Sequence, residues 1–205
     1  MSTLHKKASL LSALALGLGM STLASAADQP TLDVVTDPSF VPFEMMDTDS
    51  GQMVGFDIDI INEVADRAGF DINLNTMDFN GIIPAIQTGN VDIAIAGITI
   101  TDERSEIVDF SDPYYDSGLR IMVAANDDSI SNIDDLAGKT IGTKIGSTSY
   151  DFLTENLGDE ATITPYPGSS DMYMALLGGS VDAVFYDAPN VGYFSKTRGE
   201  GRAKV

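Results

Sequence analysis

Residues 57–75 read DIDIINEVADRAGFDINLN, and their reading decides the fold class. Across residues 57–68, Ile60, Ile61, Val64, Ala65 and Ala68 fall on one stripe at helical spacing, which predicts an amphipathic helix. Gly69 stops it, and residues 70–75 predict a strand. Upstream, residues 32–36 (LDVVT) read as another strand, so the segment is a strand–helix–strand unit. Downstream the alternation continues with a short helix over 82–87 and a strand over 91–96. It restarts with strands at 119–124, 140–143, 162–166 and 183–185, interleaved with helices at 133–136, 150–156, 172–177 and from about 189. Such alternation implies an α/β protein with parallel sheets, helices on both faces, and ligands at the carboxyl ends of the strands. Pro113, Tyr114, Tyr115 and Gly118 interrupt the pattern, which predicts two lobes, residues 27–113 and 119–205, joined by a hinge over 114–118. A crevice between two α/β lobes is a natural small-molecule site.

The amino terminus predicts an export signal. Lys6 and Lys7 precede an apolar run over 8–20, and Ala24-Ser25-Ala26 supplies the small residues of a cleavage site, with the cut after Ala26. A membrane anchor would need roughly 20 apolar residues, and Ser21 and Thr22 interrupt this run before that.

Composition excludes several chemistries. The 205 residues include no Cys and one His, His5, which lies in the predicted leader. A mature chain without imidazole or thiol cannot carry Ser-His-Asp or Cys-His catalysis, a zinc finger or an iron–sulfur cluster. With 11 Lys and Arg against 31 Asp and Glu, the net charge of -20 repels phosphate backbones, so nucleic acid is not an expected partner.

Three motifs bear on function. DTDSG at 47–51 begins like a calcium loop, but Gly51 at the fifth position and Ile58 at the twelfth do not fit one, so the segment predicts a hairpin turn. GTKIGST at 142–148 lies between a strand and a helix; it is either a backbone anion site or a plain turn, and it lacks the Gly-Lys-Ser/Thr of a phosphate loop. In AGITITDER at 96–104, Arg104 is either a surface residue or a planar fork projecting into the crevice.

Taken together, TDPSFVPFE at 36–44, GFDID at 55–59, MDFNGIIPA at 77–85, AGITITDER at 96–104 and DFSD at 109–112 resemble the polar amino-acid-binding proteins of bacterial ABC importers, and within them the glutamine binders. The resemblance covers residues 30–205. It implies the two-lobed type II periplasmic binding protein fold, capture of a free L-amino acid, glutamine above others, and delivery to the importer's membrane permease by a monomer without cofactor, metal or catalytic residue. It also implies that family members continue past Val205 to complete the first lobe, so that one face of that lobe is uncovered in this chain.

The same resemblance assigns roles. Arg104 takes the ligand's α-carboxylate, helped by N–H groups of Thr99 and Thr148. Asp187 receives the α-ammonium with the Gly97 carbonyl and the Thr99 hydroxyl. Phe40 and Phe79 cover the methylenes, and Asp37 and Lys144 meet the end of the side chain. Tyr186 stands where glutamine binders carry a histidine, and its hydroxyl can still donate one hydrogen bond. Two other classes share this architecture: periplasmic dehydratases, which would need a general acid in the crevice, and the ligand modules of membrane sensors.

Overall fold

The computed structural model describes residues 29–205, so the predicted leader and its cleavage site lie outside the described residues. Among the described residues no helix is long and apolar enough to cross a membrane.

The opening unit folds as its pattern predicts. β1 (Thr31–Thr36) leads through a hairpin of β2 (Met45–Met46) and β3 (Met53–Val54) into α1 (Phe56–Ala68), and β4 (Asp71–Thr76) returns parallel to β1 along all its residues. Gly69 ends α1 in the left-handed conformation, donating its N–H to Ala65. After α2 (Ile82–Gln87), β5 (Ile93–Ala94) pairs with the other edge of β1, giving the sheet order β4-β1-β5. The strand predicted over 91–96 is shorter: Asp92 N donates to Asp33 O at 2.9 Å, but Asp33 N donates back to the Asp92 carboxylate at 2.8 Å and not to a backbone carbonyl, and the chain takes a positive φ of 54° at Gly97. Residues of β1 alternate between two clusters: Val34 packs with Ile61 and Ile95, Val35 with Ile82 and Ala96.

The 47–51 turn closes the β2–β3 hairpin. Asp47 Oδ1 accepts from Ser50 N (2.7 Å), Ser50 Oγ (2.8 Å) and Asp49 N (3.1 Å), and these bonds, led by the Ser50 N–H, hold its carboxyl below the usual range. The hairpin is tied to α1 at Gly55, which has φ 132°; a Cβ there would lie 2.2 Å from the Phe43 carbonyl oxygen. Gly55→Ala is expected to cost about 3 kcal/mol, because the obstacle is backbone and the dihedral favours glycine. An unchanged urea midpoint would contradict this.

α3 (Asp102–Ser105), which the sequence reading passed over, follows β5 and precedes the extended segment that leads to the second sheet. That sheet comprises β6 (Leu119–Ala124), β7 (Thr140–Lys144), β8 (Thr162–Tyr166), β9 (Ala183–Asp187) and β10 (Ala203–Lys204), in the order β10-β6-β9-β7-β8. α4 (Thr148–Asn156), α5 (Ser169–Leu177) and α6 (Ala188–Lys196) connect its later strands. α4 starts two residues before the predicted 150 because Ser147 caps it, accepting from Tyr150 N. The helix predicted over 133–136 is one 3₁₀ turn, closed by a capping box of Asn132 and Asp135.

The expectation of parallel sheets holds for β1, β4 and β5 and for β7 with β8 and β9, but β6 runs antiparallel to β9, and β10 antiparallel to β6. The parallel pairs are joined by helical crossovers, which compel that direction. β6 instead arrives from the first lobe without a helical crossover, and it alone runs against the others; β10, which follows β9 across α6, is parallel to β9 and antiparallel only to its neighbour β6.

Two observations position the crevice. Phe40 and Phe43, from the first lobe, sit in the same buried cluster as Met172, Tyr173 and Tyr186 of the second, so the lobes are in contact. On the first lobe's outer side, Ile60, Val64, Ile83, Ile86, Ile98 and Val108 line an apolar groove that reaches Thr99 and Asp187.

Candidate functional site

The strand ends deliver most of the candidate residues to one place. Asp37 follows β1, Gly97 and Thr99 follow β5, Lys144 ends β7, and Tyr186 and Asp187 end β9. Phe79 opens a 3₁₀ turn just past β4, and Thr148 is the first residue of α4. Arg104 lies on α3, whose start is fixed by Thr101 Oγ1 accepting from Arg104 N at 3.1 Å.

At one end of the crevice Lys144 and Asp37 form an ion pair with Nζ 2.7 Å from Oδ2 and both side chains 2% exposed or less. The pair is embedded in hydrogen bonds: Asp37 accepts from Ser39 N (2.7 Å), Ser39 Oγ (2.5 Å) and Phe79 N (3.0 Å), while Lys144 donates to Ser39 Oγ at 2.8 Å. Ser39 thus uses its hydroxyl both as donor and as acceptor, which satisfies two buried charges at once. The resemblance placed Asp37 and Lys144 together at the end of the ligand's side chain; the structure joins them directly as an ion pair, since neither charge can stay buried alone.

At the other end Arg104 bridges the lobes. One terminal nitrogen donates to Thr99 O (2.9 Å) and the other to Gly146 O (3.0 Å), next to Thr148 at the start of α4. The surface-residue reading of Arg104 fails, and its fork is partly occupied by backbone carbonyls from both walls. Burial lowers its pKa, opposed by Asp151, Asp187 and Glu103, and a guanidinium keeps its charge under such pressure.

Between these ends stand the aromatic residues. Phe79 carries two cations near its ring, the Arg104 guanidinium 5.6 Å and the Lys144 ammonium 5.5 Å from the centroid. Phe40 lies against Gly97, which has φ 54° and no room for a side chain: a Cβ would sit 2.4 Å from the Phe40 ring. Tyr186 meets Phe40 edge-on at 5.9 Å and is buried in the hydrophobic cluster. Burial, then the charges of Asp187 and Asp37, keeps its phenol protonated.

Asp187 is 9% exposed, and burial raises its pKa to about 6 against the pull of Lys144 and Arg104. Among the described residues its carboxylate accepts from no other residue. A buried acid held within the field of two cations, with its oxygens uncommitted, is ready to accept from a cationic donor.

Sequence reasoning missed the residues that latch the lobes. Ser169 Oγ donates to Ser39 O, and Asn190 Nδ2 donates to Val41 O at 2.6 Å while its Oδ1 accepts from the Tyr173 hydroxyl at 2.7 Å. A polar Asn190 within the buried stretch of α6 is the one local signal for this. It also missed Asp57, which accepts from Gly97 N at 2.7 Å. Among the described residues no group of three or more metal-ligating side chains is assembled.

Comparison with known proteins identifies the lineage. The chain is 31% identical over 183 residues to the histidine-binding periplasmic protein of Escherichia coli, covering 89% of this chain and 70% of that protein. Among solved structures, an ancestral arginine-binding protein bound to arginine superposes with a TM-score of 0.82 at 38% identity, over 87% of this chain and 79% of that one. The ancestral arginine-binding protein bound to glutamine gives 0.81 at 38% identity, over 87% and 78%. The sequence model of the bacterial extracellular solute-binding proteins, family 3, matches residues 32–200, and with relatives of this likeness over most of its length the chain belongs to that family.

Proposed function

We propose that this protein captures a free polar L-amino acid in the crevice between its lobes, in the periplasm, and delivers it as a monomer to the permease of an ABC importer. The observation that carries this reading is the pairing of a half-buried guanidinium, Arg104, with an uncommitted buried carboxylate, Asp187, across one crevice. Those are the partners that an α-carboxylate and an α-ammonium need when water is excluded. The Thr99 and Thr148 N–H groups add donors on the carboxylate side, the Gly97 carbonyl and Thr99 hydroxyl add acceptors on the ammonium side, and Phe40 and Phe79 cover the methylenes.

Glutamine is the preferred ligand. Its amide offers a donor for Asp37 and an acceptor for Lys144, so it can insert at the ion pair without leaving either charge alone. Glutamate would set a carboxylate against Asp37, and arginine would set a cation against Lys144. A basic amino acid is the second reading, favoured by the histidine and arginine named for the relatives. A calorimetric panel of glutamine, glutamate, arginine, histidine and lysine decides between them; arginine binding more tightly than glutamine would refute the amide argument. Ligand recovered unchanged, by mass spectrometry, separates capture from dehydratase-like chemistry.

The pH dependence has a definite sign. Asp187 must be ionised to receive an ammonium, and its pKa of about 6 in the folded protein means that affinity falls as pH drops below about 6, approaching tenfold per pH unit. Stability without ligand moves the other way. Because this pKa is raised above the ordinary aspartate value of 3.8, the folded form takes up the proton first, and this group's contribution to stability rises as pH falls from about 6 toward 3.8. Affinity that stays flat down to pH 4.5 would exclude Asp187 as the ammonium partner.

A further inference from the structure

Two buried acids lie outside the set of ligand residues. Asp57, the second residue of α1, and Glu44, immediately before β2, are both 0% exposed. Asp57 Oδ2 accepts from Gly97 N at 2.7 Å and from the Tyr114 hydroxyl at 3.0 Å, so one oxygen joins the crevice loop to the segment between the lobes. Its other oxygen, Oδ1, is buried without a donor, and so are both oxygens of Glu44. Ionised carboxylates only accept, so two adjacent acids with orphaned oxygens can satisfy one another only through a proton held between them.

Glu44 is the member that carries it. Burial first, then the charge of Asp57, raises its pKa to about 11. The other groups facing the pair are Asp37, Tyr114, Tyr186 and Lys144, and of these only Lys144 favours ionisation of Glu44. Lys144 is itself paired with Asp37, so it does not neutralise the two acids. Burial also raises the pKa of Asp57, against the N–H of Gly97 and the hydroxyls of Tyr114 and Glu44, which all favour its charged form.

We propose that Asp57 is a positioning residue for the ligand crevice: sharing a proton with Glu44, it fixes the Gly97 backbone on one side and Tyr114 on the other, so that the loop and the interlobe segment are set by one carboxylate. What binds there rests on the amino-acid reading above; the positioning does not. Gly97 requires such an anchor because its left-handed conformation, under the Phe40 ring, leaves no side chain to hold the loop.

The test uses the full chain and two kinds of readout. In the ligand-free protein the Gly97 amide proton is expected well downfield in a nitrogen–proton NMR spectrum, slow to exchange, and unmoved from pH 6 to 9. Asp57→Ala is expected to abolish both the shift and the protection and to weaken glutamine binding at least tenfold. Tyr114→Phe, which removes a single hydroxyl, weakens it a fewfold and keeps the test alive if Asp57→Ala does not fold. Glu44→Ala also weakens binding, and Glu44→Gln, which retains a donor toward Asp57 but no ionisable proton, restores it relative to Glu44→Ala. The folded state holds the Glu44 proton between its unfolded pKa near 4.5 and about 11, so unfolding releases it and the folding equilibrium falls toward tenfold per pH unit over that window. Glu44→Gln removes that one-proton slope. A Gly97 amide that titrates between pH 6 and 9, a slope unchanged in Glu44→Gln, or Asp57→Ala and Tyr114→Phe that lower the melting temperature with affinity intact would each overturn the proposal. If no amino acid binds, the function reading fails, and the amide shift and the proton count still decide the positioning.

Discussion

Replacing Arg104 by alanine is expected to weaken amino-acid binding by about 2 to 5 kcal/mol, which is between about thirtyfold and a few thousandfold. The guanidinium already spends one N–H on Thr99 O and one on Gly146 O, so it is held against both walls before a ligand arrives. That preorganisation means little side-chain freedom is lost when a carboxylate docks on the remaining donors. Alanine removes the charge, leaves the ligand's carboxylate desolvated without a counter-ion, and breaks one contact between the lobes. The fold should survive: α3 is capped by the backbone N–H of residue 104 bonding to Thr101 Oγ1, which the substitution does not touch. Arg104→Lys should fall between the two, because an ammonium is a single point of charge and cannot span both carbonyls and a carboxylate. Isothermal titration calorimetry with unchanged circular dichroism checks this. Parental affinity in the alanine variant would remove Arg104 from the site.

Lys144→Met is expected to reverse ligand preference. Lys144 and Asp37 are both almost wholly buried and lie 2.7 Å apart, and removing one partner of such a pair typically costs about 3 to 5 kcal/mol because the other charge is stranded. Asp37 would keep its three donors from Ser39 and Phe79 but lose the Lys144 ammonium. A ligand that brings a cation restores the pair, so arginine should gain affinity while glutamine, which loses the donor to its amide oxygen, should lose it. The ratio of arginine to glutamine affinity is expected to rise at least a hundredfold, in line with the energy of the stranded charge. The same calorimetric panel reads it. If both ligands weaken equally, the pair is a latch between lobes and not a selector of side chains. Ser39→Ala sharpens the distinction, since it removes the hydroxyl that both partners share while leaving the two charges together.

Much of this was legible along the chain. Helical spacing in α1, the stop at Gly69 and the strand on each side are local features, and they specify a parallel pair because a helix between two strands permits little else. The hairpin turn at Asp47 was legible for the same reason: an Asp that accepts from the two residues following its neighbour is a property of a few consecutive residues. Arg104 stood out by its position after a strand, and Lys144 and Asp187 were implied by the family resemblance; the structure brings the three to one crevice. The antiparallel β6 was not legible, since its direction depends on how the chain arrives from the first lobe.

The sequence by itself determined the periodic elements, the α/β class, the division into two lobes, and the chemical inventory of a crevice without thiol or, beyond His5, imidazole. Each follows from spacing or residue type within a short window. Only the tertiary structure decided which charges find one another. Asp57 reads locally as a helix-start acid complementing the dipole, yet its partners Gly97 and Tyr114 are 40 and 57 residues away. Asp37 and Lys144, 107 residues apart, form one ion pair, and the Ser39 hydroxyl bonds both. The reason is desolvation: a charge in a local pattern is assumed to face water, and once packing removes that water the side chain must take whatever partner the fold brings within reach.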